Sequence, residues 1–274
     1  MLKLALEGSL SKGYRRASPT LCAFDEISTY NDKIKEKRKK LEKKLKICEK
    51  EFKLEKDKDK KALVKSQIQM LKKELTKCKE ITPLNLSEAP FAIPNSWAWV
   101  KLGDICEITM GQSPEQNQFI DFSPTAQNDK RACHTERSEV SYFEFHQGKI
   151  LFGEKFIEKS NIFVKGAVKV ANTNSILLCV RAPVGIVNIT QRKIAIGRGL
   201  CALKSEFCNN DLLYFILQSM QTYFEKKATG STFKAINIDI VKQTLIPLPP
   251  LYEQQEITQT LDTLFTLKKG LRRE

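Results

Sequence analysis

Five short stretches of this 274-residue chain place amide, hydroxyl or cationic side chains beside glycine or proline: Gly111-Gln-Ser-Pro114, Gln147-Gly-Lys149, Arg181-Ala-Pro-Val-Gly185, Gly197-Arg-Gly199 and Gly230-Ser-Thr-Phe-Lys234. Groups of this kind form directed hydrogen bonds rather than break covalent ones. A glutamine amide pairs bidentately with adenine, a guanidinium with guanine or phosphate, and Ser, Thr and Lys suit phosphate oxygens. The candidate nucleic-acid contacts are therefore Gln112, Ser113, Gln147, Lys149, Arg181, Arg198, Ser231, Thr232 and Lys234. Polar glycine loops are common, so no single stretch is diagnostic. Arg181 follows an apolar run and emerges at a strand end, where it either reaches DNA or pairs with a carboxylate of its own domain. Arg198 lies between two glycines, which permit close backbone approach and also serve ordinary turns.

Catalytic patterns are missing from the sequence. It holds no G-x-G-x-x-G or Walker phosphate loop, no Asn-Pro-Pro-Tyr box of amino-methyltransferases and no histidine-based triad. Carboxylate-x-lysine strings such as Glu42-Lys-Lys44 arise by chance in lysine-rich helices and do not argue for a nuclease. The eight cysteines form no Cys-x-x-Cys pair, and His134 and His146 are the only histidines. Zinc spacing is thus absent, and neither metal nor cofactor is expected. Cys179 and Cys201 lie in apolar runs and read as small, reduced core residues.

The formal charge is +14, which favours an anionic partner. Residues 31 to 80 hold 20 of the 46 basic and 10 of the 32 acidic groups, so they carry +10 of that charge. No apolar run approaches the roughly 20 residues of a membrane span, and MLKLALEGSL turns polar too soon for a secretion signal, so a soluble cytoplasmic chain without a membrane partner is expected.

Asn31 to Glu80 contains no Gly or Pro, and its apolar residues recur at spacings of three and four in two blocks: Ile34, Leu41, Leu45, Cys48 and Phe52, then Val64, Ile68, Leu71, Leu75 and Cys78. Between them Leu54 to Ala62 offers little to bury. The pattern fits one long helix with a slipped seam or two helices folded back as a hairpin. A proline-bearing linker, Thr82 to Pro90, precedes a buried strand-like region from Trp97 to Ile105. Ile176 to Val180, Val184 to Ile189 and Ile194 to Leu203 read as successive strands. Asn210 is expected to cap a helix with Leu213, Ile216, Leu217, Met220 and Phe224 on one face. After the prolines of IPLPPLYEQQEI (246–257), Ile257, Leu261, Leu264, Lys268 and Leu271 repeat as a heptad helix. The fold class is α+β, a mostly β domain with packed helices, flanked by long coiled-coil-like helices. The expected organisation is an N-terminal segment (1–30), a basic helical region (31–81), a recognition domain (91–250) and a C-terminal heptad helix (251–274).

IPNSWAWVKLGDI, Gly111-Gln-Ser-Pro114, ILLCVRAPVGIVNI, IAIGRGLCALKS and ATGSTFKAINIDIVKQTLIPLPPLYEQQEI, in this order, resemble the DNA-specificity (S) subunit of type I restriction-modification enzymes over most of residues 93 to 270. The resemblance implies a non-catalytic reader of double-stranded DNA that directs methyltransferase (M) and restriction (R) subunits to a two-part target. Such subunits carry two recognition domains separated by helices that act as a measuring rod. Here one set of blocks is present, which implies a half-subunit that pairs as a homodimer or with a second half-subunit on an inverted repeat. The alternatives are a truncated inactive fragment and the specificity tail of a fused methyltransferase-nuclease. The stretch between Asn128 and Phe145 departs from the pattern and reads as an insertion without a clean strand. The final helix is expected to dock on the helices of residues 31 to 80, in the same chain or in a second copy.

Overall fold

The computed structural model describes residues 2–84, 89–120, 142–166, 168–230 and 234–270. Two short helices open the chain, α1 (Leu2–Leu6) and α2 (Lys12–Ala17). They lead to α3 (Ala23–Leu54), which starts ahead of the expected Asn31 because Ala23 and Ile27 are already buried in the domain core. The lysine-rich region is a hairpin. At its turn, α3 ends and α4 (Lys58–Lys77) starts at Asp57, whose carboxylate accepts from the backbone N–H groups of Asp59 and Lys60. This cap stops the helix where burial cannot sustain it. Lys72–Glu49 and Lys35–Glu80 pairs, at 3.3 and 3.6 Å, fix the antiparallel register. Residues of the two apolar blocks face inward at the expected spacing, yet α4 contains no fully buried residue. The lysines point to solvent.

The following domain is layered sheet and helix. β1 (Ala98–Lys101) is followed at once by α5 (Leu102–Ile105), so Leu102 and Ile105 bury from a helical turn rather than a strand. Next come β2 (Cys106–Met110), β3 (Phe119–Ile120), β4 (Tyr142–His146), β5 (Phe163–Lys165), β6 (Val170–Ala171), β7 (Ser175–Cys179), β8 (Val187–Thr190), β9 (Ile194–Ile196) and β10 (Leu200–Ser205). Three helices, α6 (Asn210–Ser219), α7 (Gln221–Lys227) and α8 (Ile238–Gln243), precede β11 (Leu245–Leu248) and α9 (Leu251–Gly270). Among the described residues, one sheet runs β2-β10-β7-β8, another runs β3-β5-β4-β9-β6, and β1 pairs with β11. All pairings are antiparallel except β4 with β9.

Two expectations need correction here. The run from Ile194 to Leu203 is not one strand, because Gly197 to Gly199 break it and send β9 and β10 into different sheets. Tyr142 to Phe145, expected to lack a clean strand, lie in β4, which buries Phe145 and pairs on both edges. Residues 128 to 141 of that stretch lie outside the described residues. The helix cap is also displaced by one residue: Asn209 caps α6, and the helix breaks at Met220 so that Phe224 belongs to α7.

The β1–β11 pair brings the domain's entry and exit together, with Trp99 opposite Pro247. Proline is tolerated because this ladder has only two strands. α9 then starts against the domain. Its first N–H, on Leu251, donates to the Glu26 carboxylate at 2.8 Å, and Gln254 Nε2 donates to the Pro249 carbonyl at 2.9 Å. Gln254 Oε1 accepts from Asn209 N–H at 2.6 Å, and Glu253 accepts from Trp97 Nε1 at 2.9 Å and from Arg15. Within this chain the main packing partners of α9 are α1, α2 and α6, while α3 contributes the Glu26 cap, so the helix does not dock on residues 31–80 of its own copy. Ile257 and Leu261 are buried with Leu213 and Leu217, which leaves Lys268 exposed. Among the described residues no helix is long and apolar enough to cross a membrane.

Candidate nucleic-acid interface

Glycines bring the polar loops together. Gly111 N–H donates to the Leu200 carbonyl at 2.9 Å and Gln112 N–H to the Ile196 carbonyl at 3.0 Å, so the loop after β2 lies against the β9–β10 turn. A Cβ on Gly111 would stand 2.1 Å from the Gly197 carbonyl oxygen, a distance no side chain tolerates. On the other side of that turn, Gly197 N–H donates to the His146 carbonyl at 2.7 Å. A Cβ on Gly199 would meet the Gln147 carbonyl oxygen at 2.3 Å. Gly197 and Gly199 therefore serve close approach, which lets the 147–149 loop pack against Arg198.

The belt continues to Arg181. Val180 N–H donates to the Gly199 carbonyl at 3.0 Å, and Ala182 N–H donates to the Lys234 carbonyl at 3.1 Å. Arg181 itself bridges Ala235. The turn after Arg181 closes through Gly185, whose φ of 87° suits glycine and whose Cα leaves no room for a side chain beside the Gln221 carbonyl.

Gln112, Ser113, Gln147, Lys149, Arg181, Arg198 and Lys234 are all exposed. Neither Arg181, Arg198, Lys149 nor Lys234 forms an ion pair among the described residues, so the internal partner considered for Arg181 is not found there. Ser231 and Thr232 lie outside the described residues. Unpaired cations and amides on backbone-fixed loops can give phosphate contacts for register and base-edge contacts for sequence.

Beneath the belt Arg192, Glu144 and His146 pair with one another, while His146 Nδ1 is buried without a hydrogen-bond partner among the described residues. Arg192 forks onto Glu144 at 2.5 and 2.6 Å, and Glu144 also accepts from Ser160 N–H and meets His146 Nε2 at 2.8 Å. Burial opposes the Glu144 charge, but these donors outweigh it and hold its carboxyl at about 2. Burial lowers the His146 pKa despite the same carboxylate. No spacing in the sequence pointed to this trio. Burial likewise pushes the Cys179, Cys201 and Cys208 thiols up to about 12, which makes them poor nucleophiles and ligands. No cluster of three or more His, Cys, Asp or Glu that could hold a metal ion occurs among the described residues. A cavity of about 610 Å³ between α6 and α9 contains none of the belt residues. It is a groove at the helix root, where Lys155 sits between Asp211 and Asp262.

A family model for the type I restriction modification DNA specificity domain matches residues 94–274. The putative type I restriction enzyme MjaX specificity subunit of Methanocaldococcus jannaschii is 33% identical over 186 residues, covering 66% of this chain and 40% of that protein. The MjaIX specificity subunit of the same organism is 27% identical over 185 residues, covering 65% and 40%. In three dimensions the chain is similar to the HsdS subunit from Thermoanaerobacter tengcongensis, with a TM-score of 0.55 and 25% identity over 91% of this chain and 51% of that one. A chain from work on complex assembly and conformational transition of the type I R-M system also gives 0.55, at 26% identity over 91% and 52%. The chain thus spans about two fifths of the length of these curated relatives and about half of these solved chains.

Proposed function

This chain belongs to the type I restriction modification DNA specificity family, and from that membership we propose that its domain reads DNA sequence while partner subunits perform methylation and cleavage. The observation that carries the reading is the belt: exposed amides and cations from five separate chain segments, tied to one another by backbone hydrogen bonds and glycine contacts. Phosphate contacts from Lys149, Lys234 and the two arginines set the register, and Gln112, Gln147 or an arginine reads base edges. The side chains at the belt are hydrogen-bonding groups without a nucleophile–base pair, which suits recognition rather than chemistry.

The methyltransferase and restriction subunits are the protein partners of this reading, with the helical segments as their docking elements. A single recognition domain reads one half of a two-part target. Pairing with a second copy or a second half-subunit then supplies the other half, and a two-fold pair would prefer an inverted repeat with a spacer. Competition between a selected duplex and random duplex at fixed salt tests the reader. Specific sites are bound about 10³-fold or more tighter than random DNA, and a ratio near one would remove the proposal.

A further inference from the structure

Ile150 is 92% exposed, more than any other large apolar side chain among the described residues. It is not on a loose loop. It occupies the middle of the 3-10 turn Lys149–Leu151, which is closed by Phe152 N–H donating to the Lys149 carbonyl at 2.9 Å. Leu151 and Phe152 pack on the core around Leu177 and Cys179, and Glu158 N–H holds the Leu151 carbonyl at 2.8 Å. The turn is therefore pinned on one side and presents a stiff, β-branched side chain outward on the other. Its neighbours are the belt itself: Lys149 precedes it, and Gly148 lies against Gly199, next to Arg198.

An exposed apolar knob beside the belt's Lys149 and its 197–199 turn matches one feature of duplex DNA. In the major groove, thymine alone among the four bases presents a methyl group at C5, and apolar side chains recognise it by contact. We propose that Ile150 is a specificity-determining residue that reads a thymine through this methyl group, an inference that rests on the belt binding DNA. The surrounding cations bring the phosphate backbone to the turn, and the preformed turn adds little ordering cost on binding.

Duplexes are selected from a random library with the full chain in complex with a type I methyltransferase subunit. Affinities of the parent and Ile150→Ala are then measured on the selected duplex, with each thymine replaced in turn by deoxyuridine. At one position deoxyuridine should weaken the parent about four-fold, the ~0.8 kcal/mol value of one buried methyl group. The same replacement should leave Ile150→Ala unchanged, and all other positions should respond alike in both proteins. If no thymine shows a response that differs between the two proteins, Ile150 does not read a methyl and the proposal is overturned. That result includes an Ile150→Ala loss of affinity indifferent to deoxyuridine, the mark of a wedge between bases. If the parent selects no sequence at all, the DNA-reading proposal fails and this inference falls with it.

Discussion

Replacing Glu253 with alanine should loosen the root of α9 by an amount its contacts define. The side chain is 1% exposed and accepts from Trp97 Nε1 at 2.9 Å and from Arg15 Nη1 at 2.5 Å. Arg15 also donates to Ser11 Oγ and to the Gly8 carbonyl, and its guanidinium carbon lies 5.7 Å from the centroid of the Trp97 ring. In Glu253→Ala the indole N–H of fully buried Trp97 loses its acceptor, which costs about 1–3 kcal/mol. Arg15 keeps two hydrogen bonds and 21% exposure, so its loss falls below the 3–5 kcal/mol of a fully buried pair, at roughly 1–2 kcal/mol. The expected destabilisation is about 2–5 kcal/mol, or roughly 4–20 °C in Tm for a chain of this size. Glu253→Gln retains an oxygen for Trp97 and should lose about half as much. Urea denaturation of the full chain, followed by tryptophan fluorescence, measures both, and a double-mutant cycle with Arg15→Ala should give a coupling of about 1 kcal/mol or more. An Ala variant within about 0.5 kcal/mol of the parent, inside ordinary surface variation, would refute the reasoning.

Gly199→Ala should keep helix content but abolish sequence preference, because its Cβ would displace the Gln147 backbone from 2.3 Å; Gly148→Ala, which meets nothing within 4 Å, is the matched control in the same binding assay. Arg181→Ala should weaken DNA binding. The slope of log affinity against log salt should fall by about one if the contact is to phosphate, whereas a base contact would relax preference at one position; substitutions between Lys33 and Lys60 should leave preference intact. Acid should selectively erase the contribution of Glu144. Its folded pKa of about 2 lies below the ordinary carboxylate value of 4.5, so the stabilisation is complete above 4.5 and is lost as pH falls toward 2. The stability difference between parent and Glu144→Gln, measured by denaturation, should shrink across that window, and a pH-independent difference would contradict the assignment.

The long elements were legible because their periodicity survives folding. The apolar blocks from Ile34 to Cys78 face inward as spaced, and only the choice between one helix and two was open in the sequence. Asp57 decided it, through a local cap that competes with helix continuation. Glycine near polar residues marked the belt, but not which loops touch. That depends on β9 and β10 diverging at Gly197 to Gly199, a tertiary event with no signature in a ten-residue apolar run. The trio Arg192–Glu144–His146 left no trace for a similar reason: Glu144 and His146 share β4, but Arg192 reaches them from the bend after β8, and charged residues ordinarily face solvent. The polar, Glu/Gln-rich start of α9 carries no sign of burial in the sequence. Its Glu253 and Gln254 are buried because two short helices upstream, α1 and α2, cover that face.

The chain carries two populations of positive charge that differ in what they can discriminate. Lysines of the α3–α4 hairpin sit on exposed helix faces with flexible stems, and their region holds +10 of the +14 net charge. Such charges attract any polyanion and add to binding in proportion to counterions released, whatever the base sequence. The belt cations are fewer, but Arg181 and Arg198 leave a backbone locked by hydrogen bonds at Gly199, Gly197 and Lys234. A guanidinium whose Cα is held by backbone hydrogen bonds of its neighbours can register against one base edge, because a shift of an ångström breaks a bidentate pair. If the belt reads DNA as proposed, bare affinity at low salt reports mainly the hairpin. The ratio of selected to random duplex at higher salt then reports the belt, since the sequence-independent contribution cancels between the two duplexes. On that proposal, sequence reading is a property of the glycine contacts that immobilise a few cations, and the larger basic surface governs how often DNA arrives.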